Sequence, residues 1–197
     1  MHLWLSPLSR ALFSAPLAVA ALLVAVSGPG PARATTLVPL AVEDMTQISS
    51  DVVLGKVSRV TCEYSADRSQ IFTYVTVTAD QRLKGEGGAR QTFVLWGGRV
   101  GDDVLQIEGS PQFAAGEQVL VFLGQLASRT PLTQPTDRWL LGLGNGKWSV
   151  TTDVATGQTI ARSSVAGAER AMPLARLTAS IATAIHDADS HTIRGRN

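Results

Sequence analysis

The chain has 197 residues, 45% of them hydrophobic and 17% charged, with a formal net charge of +1. That length suits one domain, and the supply of Val, Leu, Ile and Trp excludes wholesale disorder. The near-neutral balance, with no concentrated basic stretch, excludes nucleic-acid recognition, and the single cysteine, Cys62, excludes an internal disulfide framework and a Cys-rich zinc module.

The first segment reads as an export signal. Met1 to Arg10 carries one Arg and no acidic residue, and Ala11 to Val26 is apolar except for Ser14. Ser27-Gly28-Pro29-Gly30-Pro31 then leads into Ala32-Arg33-Ala34. A basic start, an apolar run and an A-x-A step form the layout of a secretory signal peptide. The apolar run is shorter than the ~20 residues a spanning helix needs. The expectation is cleavage after Ala34, with residues 1–34 removed, export to the periplasm or the medium, and no stable membrane anchor afterwards. Losing Arg10 and Arg33 leaves the mature chain close to neutral, so charge names no partner.

The mature chain begins with a short helix predicted over Val42 to Ser49. Asp51 to Val60 is too rich in Val to favour a helix and reads as a strand. In Ile71 to Leu83, Ile71, Thr73, Val75, Val77, Ala79 and Leu83 alternate with Thr76, Thr78, Asp80 and Arg82, the period of a half-buried strand. Lys84-Gly85-Glu86-Gly87-Gly88 turns the chain, and Gln91 to Trp96 resumes an extended run. Gly97 to Gly116 reads as a surface excursion with a short strand at Val104 to Ile107. Gln118 to Leu126 is apolar on both faces, as a strand covered on both sides would be. Ser128 to Asp137, with Pro131 and Pro135, reads as a loop. Trp139 to Leu143 and Lys147 to Thr152 flank Asn145-Gly146, a dipeptide suited to a type I′ hairpin. A last hairpin turns at Asp153 to Gly157 and returns through Gln158 to Ala161. Pro173 to His186 is a helix with Leu174, Leu177, Ile181 and Ile185 on one face and Pro173 at its first position. Residues 187–197 read as a flexible polar tail.

Few constellations carry chemistry. Gly142 to Lys147 resembles a phosphate loop only superficially: Trp148 stands where a Ser or Thr should open a helix. His186, Asp187, Asp189 and His191 have no metal-site spacing, and Asp102, Asp103 and Glu108 lack that of a calcium loop. A nucleophilic triad would have to draw its histidine from the chain end, and no G-x-S-x-G elbow is present. Cys62 has no cationic neighbour in sequence to activate it. No catalytic residue, metal or cofactor is therefore assigned, and the expectation is a non-enzyme. Trp96, Trp139 and Trp148 are candidates for a stacking platform or for core.

Three phrases resemble one family. They are Ser50 to Val57, the strand ending Arg82-Leu83-Lys84-Gly85, and Ala115 to Gly124. In order and spacing they are similar to the netrin-like module, the OB-fold barrel of the tissue inhibitors of metalloproteinases. The resemblance implies a mainly β, Greek-key barrel of about five main strands over residues 35–186, with a short N-terminal helix and a C-terminal packing helix. It also implies a role for the mature N-terminus. In that family the terminal amine and first carbonyl chelate a protease zinc, and the second side chain enters the specificity pocket. Here the start is Thr35-Thr36-Leu37-Val38-Pro39; Thr36, Val38 and Pro39 match the family pattern, while Thr35 and Leu37 stand where it has disulfide-forming cysteines.

Two functional expectations follow. The first is an exported, non-catalytic protein-binding module, directed at a secreted metalloprotease or another extracytoplasmic protein through Thr35, Thr36, Val38 and Pro39. The alternative is a cell-envelope or glycan-binding module that uses Trp96, Trp139, Trp148 and the loops, since OB-folds bind oligosaccharides on one face.

Overall fold

A computed structural model describes residues 38–125, 138–165 and 167–194, with side chains through residue 190. The predicted signal segment, Thr35, Thr36, the Ser128 to Asp137 loop and the His191 side chain lie outside the described residues. Helix α1 spans Val42–Ile48, and strands β1 (Asp51–Tyr64), β2 (Ile71–Lys84) and β3 (Arg90–Trp96) follow. A small hairpin, β4 (Gly98–Val100) and β5 (Asp103–Leu105), precedes β6 (Gln118–Gln125) and β7 (Arg138–Leu140). The chain ends in β8 (Lys147–Thr152), β9 (Thr159–Val165), β10 (Ala168–Pro173) and helix α2 (Leu174–Arg194).

The strands close a ring in the order β1-β2-β3-β7-β6 and back to β1. Only the β3–β7 pair in this ring is parallel; the others are antiparallel. This is the five-stranded Greek-key barrel of an OB-type fold, as expected. β8, β9 and β10 extend the sheet from β6 as a meander.

Alternation along the strands fills two layers. Val53, Val57, Val75, Val77, Phe93, Val119, Val121 and Leu123 pack inside the barrel. Their neighbours Val52, Leu120 and Phe122 point outward and pack with Trp148, Met45, Leu177 and Ile181 beneath the two helices. β6 is apolar from Val119 to Leu123 because it faces a core on each side. In α2, Leu177 and Ile181 are fully buried and Leu174 and Ile185 partly so, the predicted face.

Ring closure needs local irregularity. The β1–β2 register slips at Val52/Val53, Leu54/Gly55 and Val57/Arg59. These bulges bend the ribbon and reverse the side-chain phase. Leu83 therefore leaves the barrel-facing set and packs with the helix layer, whereas Ala79 packs against the interior. Gly55 lies at the bend, where a Cβ would come within 2.2 Å of the Thr78 carbonyl oxygen. At the mouth of the ring, buried Asp51 accepts from Arg82 Nη1 at 3.3 Å and Arg138 Nε at 2.6 Å, tying β1 to β2 and β7.

The structure departs from four expectations. Asn145-Gly146 does not turn a hairpin. β7 and β8 lie one after the other along the same edge of β6, pairing with Leu123–Gln125 and Val119–Val121 respectively. Between them Leu143–Gly146 forms a 3₁₀ turn, entered through left-handed Gly142 and Leu143. Pro173 closes β10 rather than opening α2, and β10 itself lacks the alternation that betrays a strand. α2 runs on to Arg194, so residues 187–194 of the predicted tail are helical; a Ser190 hydroxyl donating to the His186 carbonyl supports that turn. The strand expected over Val104 to Ile107 is β5, ending at Leu105.

Candidate functional site

The first described residues, Val38 to Leu40, have their backbone tied to the rest of the fold by side chains. Asn145, buried in the 3₁₀ turn, accepts from the Leu40 amide through Oδ1 at 2.9 Å. Its Nδ2 donates to the Val38 carbonyl at 3.2 Å and to the Gly142 carbonyl at 3.2 Å. Arg170, on β10, donates from Nη1 to the Leu40 carbonyl at 2.6 Å. Its guanidinium lies over the Trp148 ring, 5.1 Å from the centroid. Burial pushes the Arg170 group below its ordinary value, but a guanidinium keeps its proton throughout the physiological range.

The turn that carries Asn145 is itself held. Ser163 donates to the Gly144 carbonyl at 3.2 Å, and the Gly144 amide donates to Gly109 at 3.1 Å. A Cβ at Gly144 would come within 2.5 Å of the Ser164 carbonyl oxygen, so the turn passes close against β9. The result is a segment whose backbone is pinned at Val38 and Leu40: the Leu40 side chain packs against the helix layer, whereas Val38 is 66% exposed and Pro39 is also exposed.

The three tryptophans part company. Trp96 and Trp139 meet on the outer face of β3 and β7, with centroids 5.5 Å apart, and Phe72 packs against both at 4.7 and 5.8 Å. Trp139 and Phe72 are buried, which leaves Trp96 as the half-buried member of that trio. Trp148 is elsewhere, 1% exposed in the layer beneath α2, so it cannot stack on a ligand. It touches the N-terminal segment indirectly, as the floor under Arg170.

Cys62 is half-buried near the end of β1, its Sγ 3.4 Å from Thr73 Oγ1. Thr73 spends its one hydroxyl proton on the Gly97 carbonyl at 2.6 Å, so the thiol is the donor to Thr73. Asp103 accepts the Tyr64 hydroxyl proton, and this bond holds the phenol above its ordinary value. Asp102, Glu108, His186, Asp187 and Asp189 are exposed. Among the described residues no three His, Cys, Asp or Glu side chains converge to hold a metal. No described helix is long and apolar enough to cross a membrane.

Asn145 and Arg170 escaped the reading of the sequence. An Asn before Gly is a turn signal, and nothing in its spacing announces that its amide faces inward. Arg170 lies in an edge strand of mixed polarity, where a charged residue ordinarily faces water. No family model, curated protein or solved structure matches the chain.

Proposed function

We propose that the protein is an exported, non-catalytic protein-binding module that offers its mature N-terminus, Thr35 to Pro39, to a secreted zinc protease or a similar extracytoplasmic partner. The observation that carries this reading is the Asn145–Arg170 clasp on Val38 and Leu40. With cleavage after Ala34, only Thr35, Thr36 and Leu37 precede the pinned Val38 carbonyl. From the Thr35 amine to the Val38 carbonyl the chain spans four residues, which reach at most about 14 Å, so the amine stays close to the barrel rim. Ordering a residue costs about 1–2 kcal/mol, so the clasp, by holding Val38 to Leu40 in advance, removes that part of the cost of binding. The clasp thus does by hydrogen bonds what the resembling inhibitors do with disulfides. A neutral α-amine is a good zinc ligand, and its pKa near ~8 leaves an accessible neutral fraction at pH 7. Exposed Val38 and Pro39 supply apolar contact area beside it.

The test compares protein starting at Thr35 with protein carrying one extra Ala, against a panel of secreted zinc endopeptidases. Extension displaces the amine without touching the barrel. Inhibition by the first form only, at equal melting temperature, supports the reading. Equal inhibition by both forms, or inhibition by neither, contradicts it.

Glycan binding on the outer face of β2, β3 and β7 is the second reading, favoured by half-buried Trp96 and Tyr74 on that face. Quenching or a blue shift of Trp emission on adding envelope polysaccharide, absent in Trp96→Ala, would support it. Unchanged emission would remove it.

A further inference from the structure

A second site lies at the other end of β1, away from the clasp. The β4–β5 hairpin and the loop after it stand off the barrel and enclose a pocket of about 380 Å³. Its apolar wall is Val60, Leu95, Trp96, Leu105, Ile107 and Phe113. Volume and apolar character both fall in the range of small-molecule sites.

The pocket is held open by ties on three sides. Gly98 passes so close to the barrel that a Cβ would lie 2.7 Å from Cys62 Sγ and 2.6 Å from Thr73 Oγ1. Tyr64, at the end of β1, donates to Asp103 of the hairpin, with the Arg68 guanidinium 4.7 Å from its ring centroid. Lys147 donates to the Gln112 carbonyl and lies over the Phe113 ring at 4.5 Å, which fixes the opposite wall. Preformed walls spare a ligand the cost of ordering them.

The charge of the lining is one-sided. Arg99 is its one charged residue; no acidic side chain lines the pocket, and Asp103 is engaged with Tyr64. Arg99 is exposed at the rim and makes no ion pair among the described residues. A single guanidinium fork matches a planar carboxylate better than a phosphate dianion, which draws on several donors. The volume equals about a dozen liquid waters, room for a ligand of roughly ten non-hydrogen atoms.

We propose that this pocket binds a small amphiphilic monocarboxylate, its apolar tail against Leu95 and Phe113 and its carboxylate on Arg99. The site shares no residue with the Asn145 clasp, so it stands or falls independently of the N-terminal reading. Octanoate is the probe, with octanol as the uncharged match, titrated calorimetrically into the full chain and into Arg99→Gln. Cys62 supplies a second readout, because its thiol lines the same pocket. The expected result is octanoate binding that weakens about tenfold in Arg99→Gln, the loss of one charge-assisted hydrogen bond, while octanol is bound equally by both proteins. Saturating octanoate should also slow Cys62 alkylation by iodoacetamide several-fold. No octanoate binding to the unaltered chain, an affinity unchanged by Arg99→Gln, or alkylation at the same rate with octanoate present would each overturn the proposal.

Discussion

The barrel interior and the N-terminal clasp are built by opposite rules. Inside the ring, apolar side chains from β1, β2, β3 and β6 fill the space, and none depends on a directional bond. Any residue of similar size and apolarity would serve nearly as well there. The clasp instead depends on two polar side chains, Asn145 and Arg170, whose atoms meet particular backbone groups of residues 38–40. A small change of shape or a missing donor undoes it. The first region supplies stability; the second places one short segment. A variant can therefore lose much of its stability and still hold Val38 to Leu40 in place, or keep nearly all of it and release them.

The largest effect is expected in the interior. Phe93 is fully buried and packs edge-on against Phe113 at 5.4 Å. Phe93→Ala should cost about 3–5 kcal/mol through lost transfer energy and the cavity left behind. Denaturant titration measures it, and an unchanged midpoint would mean that the ring does not close around this residue.

Next in size are Leu177→Ala and Ile181→Ala in α2, each expected to cost about 2–5 kcal/mol for the same reason. Both side chains are fully buried in the layer that also contains Trp148, the floor under Arg170. These variants sharpen the comparison, because they load the outer layer and leave the barrel interior untouched. If they unfold at the same denaturant concentration as the unaltered protein, α2 does not pack on the sheet.

Asn145→Ala should cost less, about 1–3 kcal/mol, because it leaves the Leu40 amide and the Val38 carbonyl without their partner. Its signature is a mismatch: a modest loss of stability with a large loss of order at Val38 to Leu40. A limited-proteolysis assay should show earlier cleavage near Val38 with the remainder of the barrel intact. Simultaneous cleavage throughout the chain would show that Asn145 is a global core residue rather than a clasp.

The smallest effect depends on pH. Burial raises the Glu117 carboxyl, but hydrogen bonds from Lys147 and Ser149, with the Lys147 charge, outweigh it and leave the group below its ordinary value. A carboxyl depressed by folding adds stability that is fully present above its unfolded value of about 4.3 and is lost as pH falls through the folded value. The Glu117 side chain is still partly exposed, at 23%, so screening by water should keep the contribution at neutral pH below about 1 kcal/mol. Glu117→Gln should be slightly less stable than the unaltered protein at pH 7, and the gap should close on acidification. A gap that widens toward acid would reverse the sign of this account.

What the sequence disclosed follows the same division. The alternation of β2, the two-sided apolarity of β6 and the Leu177–Ile181 face of α2 were all visible, because burial acts on every second or every third to fourth residue. The bulges that move Leu83 to the other layer were not visible, since a bulge changes phase without changing composition. Nor was the 3₁₀ turn at Leu143–Gly146, because Asn-Gly is equally at home in a hairpin. In the candidate site, exposed Val38 and Pro39 were named from the sequence, but the residues that hold them were not. Contacts across more than a hundred residues, such as Asn145 to Leu40, leave no local pattern. Trp148 shows the converse: its type left a binding face and the core both open, and only its place beneath α2 reveals a support.

The most direct test of the clasp is amide hydrogen exchange at Leu40 in protein that starts at Thr35, compared with Asn145→Ala. Protection of Leu40 in the unaltered protein, lost in the variant while Val53 and Val121 stay protected, is the predicted result. A Leu40 amide that exchanges at the unprotected rate in both proteins, or stays protected in both, would contradict the account.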